Sequence, residues 1–288
     1  MSNYVIYTDS ACDLSKEILK DMGVLCRSLC FRFDGEDKEY DNYELSAKEF
    51  YDQMRAGKVA KTAAVNNEAF KDAFKEQLEQ GFDVLYIGFS SGLSTTYNSA
   101  RIAAEELMEE YPDRKILTVD TLAASAGQGM LVALAVNKKN EGASIDEVAQ
   151  FVEDNKLKLC HWFTVDDLVY LKRGGRVSAA AALVGGLLGI KPVLHVDDEG
   201  HLINMEKVRG RKAALSSLAD KYGETADDKQ GGLVYISHGD CEDDANTLAT
   251  MLNERYGAKV SIITNVGPVI GAHSGPGTLA LFFVGSKR

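Results

Sequence analysis

Apolar positions fall along this chain in two textures, short nearly continuous runs and longer stretches in which they recur three and four residues apart. Tyr4–Asp9, Asp83–Phe89 and Lys115–Val119 are runs of the first kind. Such runs predict strands covered on both faces, as in a parallel sheet. Leu14–Met22, Ala47–Arg55 and Glu68–Gln80 read as helices, with Ser10–Asp13 as the turn entering the first and Thr62–Asn66 as a linker before the third. After Phe89, the residues Tyr97, Ala100, Ala104, Leu107, Met108 and Tyr111 keep helical spacing while Glu105, Glu106, Glu109 and Glu110 occupy the opposite side, which predicts a helix packed on the sheet. Leu122–Asn137 is a long uncharged helix that ends near Lys138 and Lys139. Val24–Phe33, rich in β-branched and aromatic residues and followed by Asp34-Gly35, predicts a small hairpin. Strand and helix alternate, so the first half is expected to be a doubly wound α/β domain whose ligands gather at the carboxyl ends of parallel strands. Asp9, Ser90 and Asp120 stand at such ends.

The texture changes near Lys158. Leu159–Val165 reads as a strand, Asp166-Asp167 caps a short helix, and Gly174-Gly175 closes it. Val177–Ile190, broken at Gly185-Gly186, is an apolar helix that is either plain core or, with Leu279–Phe283 opposite, the wall of an apolar tunnel. Lys191–Val196 and His201–Val208 flank the turn Asp197-Asp-Glu-Gly200, and Leu233–Ser237 and Lys259–Thr264 add strands separated by helices. The pattern predicts two domains, residues 1–157 and 158–288, the second with a mixed or mostly antiparallel sheet and helices on one side.

Charge narrows the function classes. Lys and Arg number 32 against 43 Asp and Glu, a net charge of −11, which argues against nucleic acid as a partner. Five cysteines lack any Cys-x-x-Cys spacing and fit reduced thiols in a cytoplasm. The first residues show no basic region followed by an apolar stretch, so a cytoplasmic location is expected. Val260–Ser286 has no Asp, Glu, Lys or Arg, yet Gly267, Pro268, Gly271, Gly275, Pro276 and Gly277 interrupt it. It therefore predicts a buried loop between two core strands and no integral membrane segment.

Two motifs compete for the chemistry. Gly88-Phe-Ser90-Ser-Gly92 follows a strand and precedes a helix, the setting of a hydrolase nucleophile elbow, with Asp240 and His273 downstream in the right order. That alternative is a serine hydrolase acting on lipid esters with Ser90 as nucleophile. The other possibility begins at Ser94, a natural N-cap for the amphipathic helix. Free backbone N–H groups there, among Ser90, Ser91, Thr95 and Thr96, would form an anion site. His273, in a glycine-rich run from Gly271 to Gly277, is either a ligand donor or a structural histidine, and no histidine shows metal-ligand spacing. The basic clusters around Arg176 and Arg209 are either solvated surface or a site for a phosphate or an acidic partner.

Taken together, Tyr7–Ser15, Ser90–Tyr97, Leu171–Ser178 and Gly267–Gly277 resemble the DegV family over nearly the whole chain. The resemblance implies a bacterial cytoplasmic protein that binds one long-chain fatty acid in a tunnel, with no catalytic residues, metal or cofactor of its own. Some members present the carboxylate to a separate ATP-dependent fatty acid kinase and carry the acyl phosphate toward phospholipid synthesis. By motif, Thr62, Ser94 and His273 would hold the carboxylate, with Ser90 and Ser91 nearby, and Arg176 and Arg209 would meet the phosphate or the kinase. Two positions depart from the family pattern, Thr62-Ala-Ala-Val-Asn66 in place of Thr-Ser-Gln-Pro-Ser and Thr95 in place of glycine.

Overall fold

The computed structural model describes residues 3–177 and 189–288, so most of the apolar stretch Val177–Ile190 lies outside the described residues. The first half runs β1 (Tyr4–Asp9), α1 (Lys16–Asp21), β2 (Val24–Arg27), β3 (Cys30–Phe33), β4 (Tyr40–Asp41), α2 (Ala47–Arg55), β5 (Ala60–Ala63), α3 (Asn67–Glu79), β6 (Asp83–Gly88), α4 (Thr96–Glu110), β7 (Ile116–Asp120), α5 (Ser125–Asn140) and α6 (Ile145–Asn155). The second continues with β8 (Leu159–Thr164), α7 (Val169–Arg173), β9 (Ile190–Val196), β10 (Leu202–Arg209), α8 (Arg211–Thr225), β11 (Val234–His238), α9 (Glu242–Tyr256), β12 (Ile262–Asn265), α10 (Pro268–Ser274) and β13 (Leu279–Val284).

A four-stranded sheet, β2-β1-β6-β7, is parallel throughout. A six-stranded sheet, β10-β9-β8-β13-β11-β12, is antiparallel except for its β11–β12 pair. The α/β fold and the contrast between the two sheets agree with the pattern of the sequence. Val24–Phe33 does not form one strand. Its first residues join the parallel sheet as β2, and Cys30–Phe33 enters a three-stranded antiparallel sheet, β4-β3-β5. Thr62, expected in a linker, is paired with Phe31 in that small sheet. The Gly267–Gly277 run, expected as a loop, contains α10, opened by Pro268 at its first turn, where a missing N–H costs nothing.

α5 binds the two large sheets together. Its residues from Ser125 to Val136 are buried with the single exception of Leu134, which is partly exposed. A helix apolar on every side needs cover on every side. Strands β6, β8, β11 and β13 supply it, and one continuous core holds Ile6 and Leu85 together with Phe163, Leu194 and Phe282. Alternation along β13 explains why this works. Ala280 and Phe282 face α5, whereas Leu279, Leu281 and Phe283 face α8 and α9.

Polar links run through the same layer. Ser125 Oγ donates to Asp13 Oδ2 at 2.5 Å and lies 2.9 Å from Ser237 Oγ, joining the two sheets through the first residue of α5. Asp13 Oδ1 accepts from the Gly267 N–H at 3.0 Å. Burial pushes the Asp13 carboxyl up to about 7.

Close packing leaves no room for even one methyl group at Gly129, where a Cβ would lie 2.9 Å from the Cys12 carbonyl oxygen and 2.8 Å from Leu14 Cγ. In an open helix Gly→Ala stabilises by about 1 kcal/mol, but overpacking against fixed backbone costs about 1–3 kcal/mol. Gly129→Ala is therefore expected to lower stability, read as a reduced urea midpoint with an unchanged slope. A raised midpoint would show that α5 can shift within its layer.

Candidate functional site

Thr62 and His273 meet because the small sheet and α10 pack together. Phe31, Phe33, Phe50, Tyr51 and Met54 form a separate core with Ala60 on β5 and Ala272 on α10. Tyr51 Oη donates to the Val266 carbonyl at 2.9 Å, and the Val269 N–H donates to Asn42 Oδ1 at 2.8 Å, which fixes the entry to α10. With both elements held, Thr62 Oγ1 and His273 Nε2 stand 2.9 Å apart. His273 Nδ1 is buried with no partner among the described residues, and it faces Gly174, where a Cβ would come within 2.2 Å. The Gly174-Gly175 doublet thus has a second use beyond ending α7: its first glycine seats the histidine ring.

Burial, and to a lesser degree the nearby Arg176 charge, holds the His273 imidazole down at about 4. It is neutral at pH 7 and carries one proton. Placing that proton on Nε2 gives Thr62 Oγ1 an incoming hydrogen bond and frees the threonine hydroxyl to donate elsewhere, a tautomer assigned from the geometry. Arg176 is itself depressed by burial. Among the described residues its guanidinium meets only carbonyl oxygens, with Nε donating to Leu93 at 3.2 Å and Nη1 to Gly174. A half-buried cation without a carboxylate partner is costly, and it stands in a protein of net charge −11.

Ser94 is not the N-cap. Helix α4 starts at Thr96 behind Thr95, which makes no side-chain cap. Ser94, one residue earlier, accepts the Thr96 N–H at 3.2 Å and lies 2.9 Å from Thr96 Oγ1. Because Thr96 carries both a donor N–H and a hydroxyl, Ser94 can be satisfied as an acceptor while its own proton remains available.

Thr62, Ser94, Thr95, Arg176 and His273 all line one cavity of about 190 Å³. A single water needs about 10–15 Å³ on that measure, so the space is of ligand size. Its remaining wall is largely apolar, with Leu29, Phe89, Leu93, Phe163, Val269 and Phe282 among the lining residues. From α5 only Ala124, just before it, and Ser125 reach the cavity among the described residues, so the space opens between the sheets where that helix begins. The sequence motifs pointed to Thr62, Ser94, Arg176 and His273. Periodicity and spacing alone did not find His161, Ser237 and Ser274, which also line it.

Ser90, Ser91 and Arg209 lie elsewhere. Ser90 is fully buried, and its Oγ donates to the Gly200 carbonyl at 3.0 Å while accepting the Gly92 N–H. Gly92 leaves space for the same turn, since a Cβ there would lie 2.8 Å from the Glu199 carbonyl oxygen. The Gly-x-Ser-x-Gly run is therefore the seat of the β9–β10 hairpin. Asp240 pairs with Arg55, and His273 with Thr62, so the order Ser90, Asp240, His273 is not a triad in space. The Ser91 N–H donates to Asp120 Oδ1 at 3.2 Å, and its side chain is exposed. Arg209 is exposed at the end of edge strand β10.

Residues 3–286 match the sequence profile described as "Uncharacterised protein, DegV family". The chain belongs to the DegV family. It is 48% identical over 291 residues to a DegV domain-containing protein of Clostridium perfringens, covering 100% of this chain and 99% of that one. A stearic acid-binding protein from Eubacterium ventriosum superposes with a TM-score of 0.88 at 28% identity, covering 98% of each chain. The DegV family protein from Thermus thermophilus described for its fatty acid binding gives 0.87 at 30% identity over 98% of this chain and 99% of that one. Among the described residues no helix is long and apolar enough to cross a membrane.

The depressed His273 makes a pH prediction with a definite sign. An ordinary histidine near 6.5 binds a proton in the unfolded chain at a pH where folded His273, at about 4, does not. Its contribution to stability is thus present above pH 6.5 and is lost as the pH falls toward 4. In ¹⁵N-resolved NMR of unliganded protein, the His273 ring is expected to remain neutral at pH 5.5. Gly174→Ala is expected to displace the ring and move this titration toward the ordinary value. A wild-type midpoint near 6.5 would contradict the buried placement.

Proposed function

We propose that this protein binds a long-chain fatty acid in the cavity, with its carboxylate held by Thr62, Ser94 and His273 and balanced by Arg176. The observation that carries this is the Arg176 charge, which meets no carboxylate among the described residues, beside two hydroxyl donors at one edge of a mostly apolar space. An anion with a long apolar body fits both parts. His273 acts through Thr62, fixing the direction of its hydroxyl so that the proton points to the ligand oxygen. The fatty acids bound by the structural relatives support the same ligand class.

Magnitudes divide the work. At about 0.8 kcal/mol per buried CH₂, roughly fourteen methylenes give a gross driving force on the order of 11 kcal/mol before association costs. Charge-assisted hydrogen bonds at roughly 1.5–3 kcal/mol each then set which end occupies the polar edge. The chain is a carrier in this account. It presents the carboxylate to a separate ATP-dependent fatty acid kinase for acyl phosphate formation in the cytoplasm, a step supported by the family resemblance. Arg209, exposed on β10, is the candidate for contact with that kinase.

Mass spectrometry of the organic extract from purified protein is expected to give a near-stoichiometric fatty acid, and a delipidated sample to rebind it. Replacing Thr62, Ser94 and His273 together by alanine should weaken rebinding more than tenfold, the loss of about one charge-assisted bond. Arg176→Ala should weaken it further, whereas Arg209→Ala should leave it unchanged and slow only acyl phosphate formation with added kinase and ATP. Full affinity in the triple variant would remove the proposed carboxylate site.

A further inference from the structure

His161 is the one histidine of the cavity that the carboxylate site does not use. It lies on β8, is 2% exposed, lines the cavity, and neither ring nitrogen has a hydrogen-bond partner among the described residues. The Leu159 backbone lies close enough to favour the protonated ring, yet completes no hydrogen bond to it. A neutral imidazole always presents one donor and one acceptor, so two polar atoms are left unsatisfied in the interior. Each such group is destabilising unless something meets it.

The sheet register places His161 away from the carboxylate. Phe282 pairs with His161, and Ala280 with Phe163. Thr278, where the chain leaves the His273-bearing loop, precedes Phe282 by four residues, about 13 Å of strand. His161 therefore stands about four strand residues beyond the end of that loop, where an acyl chain anchored near His273 would pass it beyond the head group. Two of the other hydroxyls that line the cavity are already engaged, since Ser237 and Ser125 pair with each other and Ser125 with Asp13.

Water does not resolve this. A buried water needs two to four polar partners, and the ring's neighbours along the strands are apolar, with Phe282 edge-on at 5.6 Å and Phe163 two residues along β8. The ring also has its position built for it, because a Cβ at Gly127 would lie 2.6 Å from Nε2. A plain alkyl chain leaves both nitrogens unpaired. An oxygen borne on the chain itself would be delivered to the ring without a second polar partner.

We propose that the ligand class this cavity selects is an oxygenated fatty acid, one carrying a hydroxyl or oxo group in mid-chain that hydrogen-bonds to His161. The proposal rests on the fatty-acid reading above and adds the substituent. Its test is equilibrium binding of stearic acid and of hydroxystearic acids with the hydroxyl moved along the chain, to delipidated wild type, His161→Leu and His161→Gln. At one hydroxyl position wild type should bind the hydroxy acid about tenfold more tightly than stearic acid. His161→Leu should abolish that gain while keeping or improving stearic acid binding, and His161→Gln should restore part of it. Stearic acid binding with no favoured hydroxyl position, or a gain that survives in a folded His161→Leu protein, would overturn the proposal. Failure of every acid, stearic included, would instead overturn the fatty-acid reading itself. Loss of folding in His161→Leu leaves the wild-type positional scan to decide.

Discussion

The rest of the structure depends on the need to cover α5 on every side. A helix without a charged residue from Ser125 to Asn137 cannot sit on the outside of a doubly wound sheet as its neighbour α4 does. One sheet buries only one stripe of it. A second sheet must close over the other side, and the six-stranded sheet does so with Phe163, Leu194, Ala280 and Phe282. The two halves of the chain are therefore joined by a shared hydrophobic layer, which is why a linker rich in glycine or proline is not needed between them.

The cavity follows from where that layer begins. Beyond the N-terminal end of α5 the sheets remain apart, and the gap is filled from the sides by β5, α10 and the segment after α7. Each brings one polar group, respectively Thr62, His273 and Arg176, to the same edge. The physical outcome is an asymmetric space, polar and cationic at one edge and mostly apolar beyond it. Such a space has two chemically different ends, set by which elements close it.

Glycines at close approaches connect fold and site. Gly174 yields to His273, Gly127 to His161 and Gly92 to the β9–β10 turn. In each case a missing side chain allows a partner's functional atom or backbone to settle where a Cβ would stand. The Gly-x-Ser-x-Gly run shows how the same local pattern can serve packing. Its serine is buried under a hairpin that approaches from the other half of the chain, a contact that no local pattern contains.

The sequence by itself determined the alternation of strands and helices, the change of texture near Lys158, and the motifs that carry Thr62, Ser94, Arg176 and His273. These are legible because hydrophobic period and capping chemistry act over a few residues. It could not separate β2 from β3 within one β-rich run, since the choice between two sheets depends on partners distant in the chain. Nor could it place α10 within a glycine-rich run, where the helix is held by Asn42, Tyr51 and Asp13 from outside. Only the tertiary structure decided that Ser90 is covered, that Arg209 is remote, and that His161 faces the cavity without a hydrogen-bond partner among the described residues. Those outcomes are set by which faces of distant elements meet, and burial and hydrogen bonding are properties of that meeting.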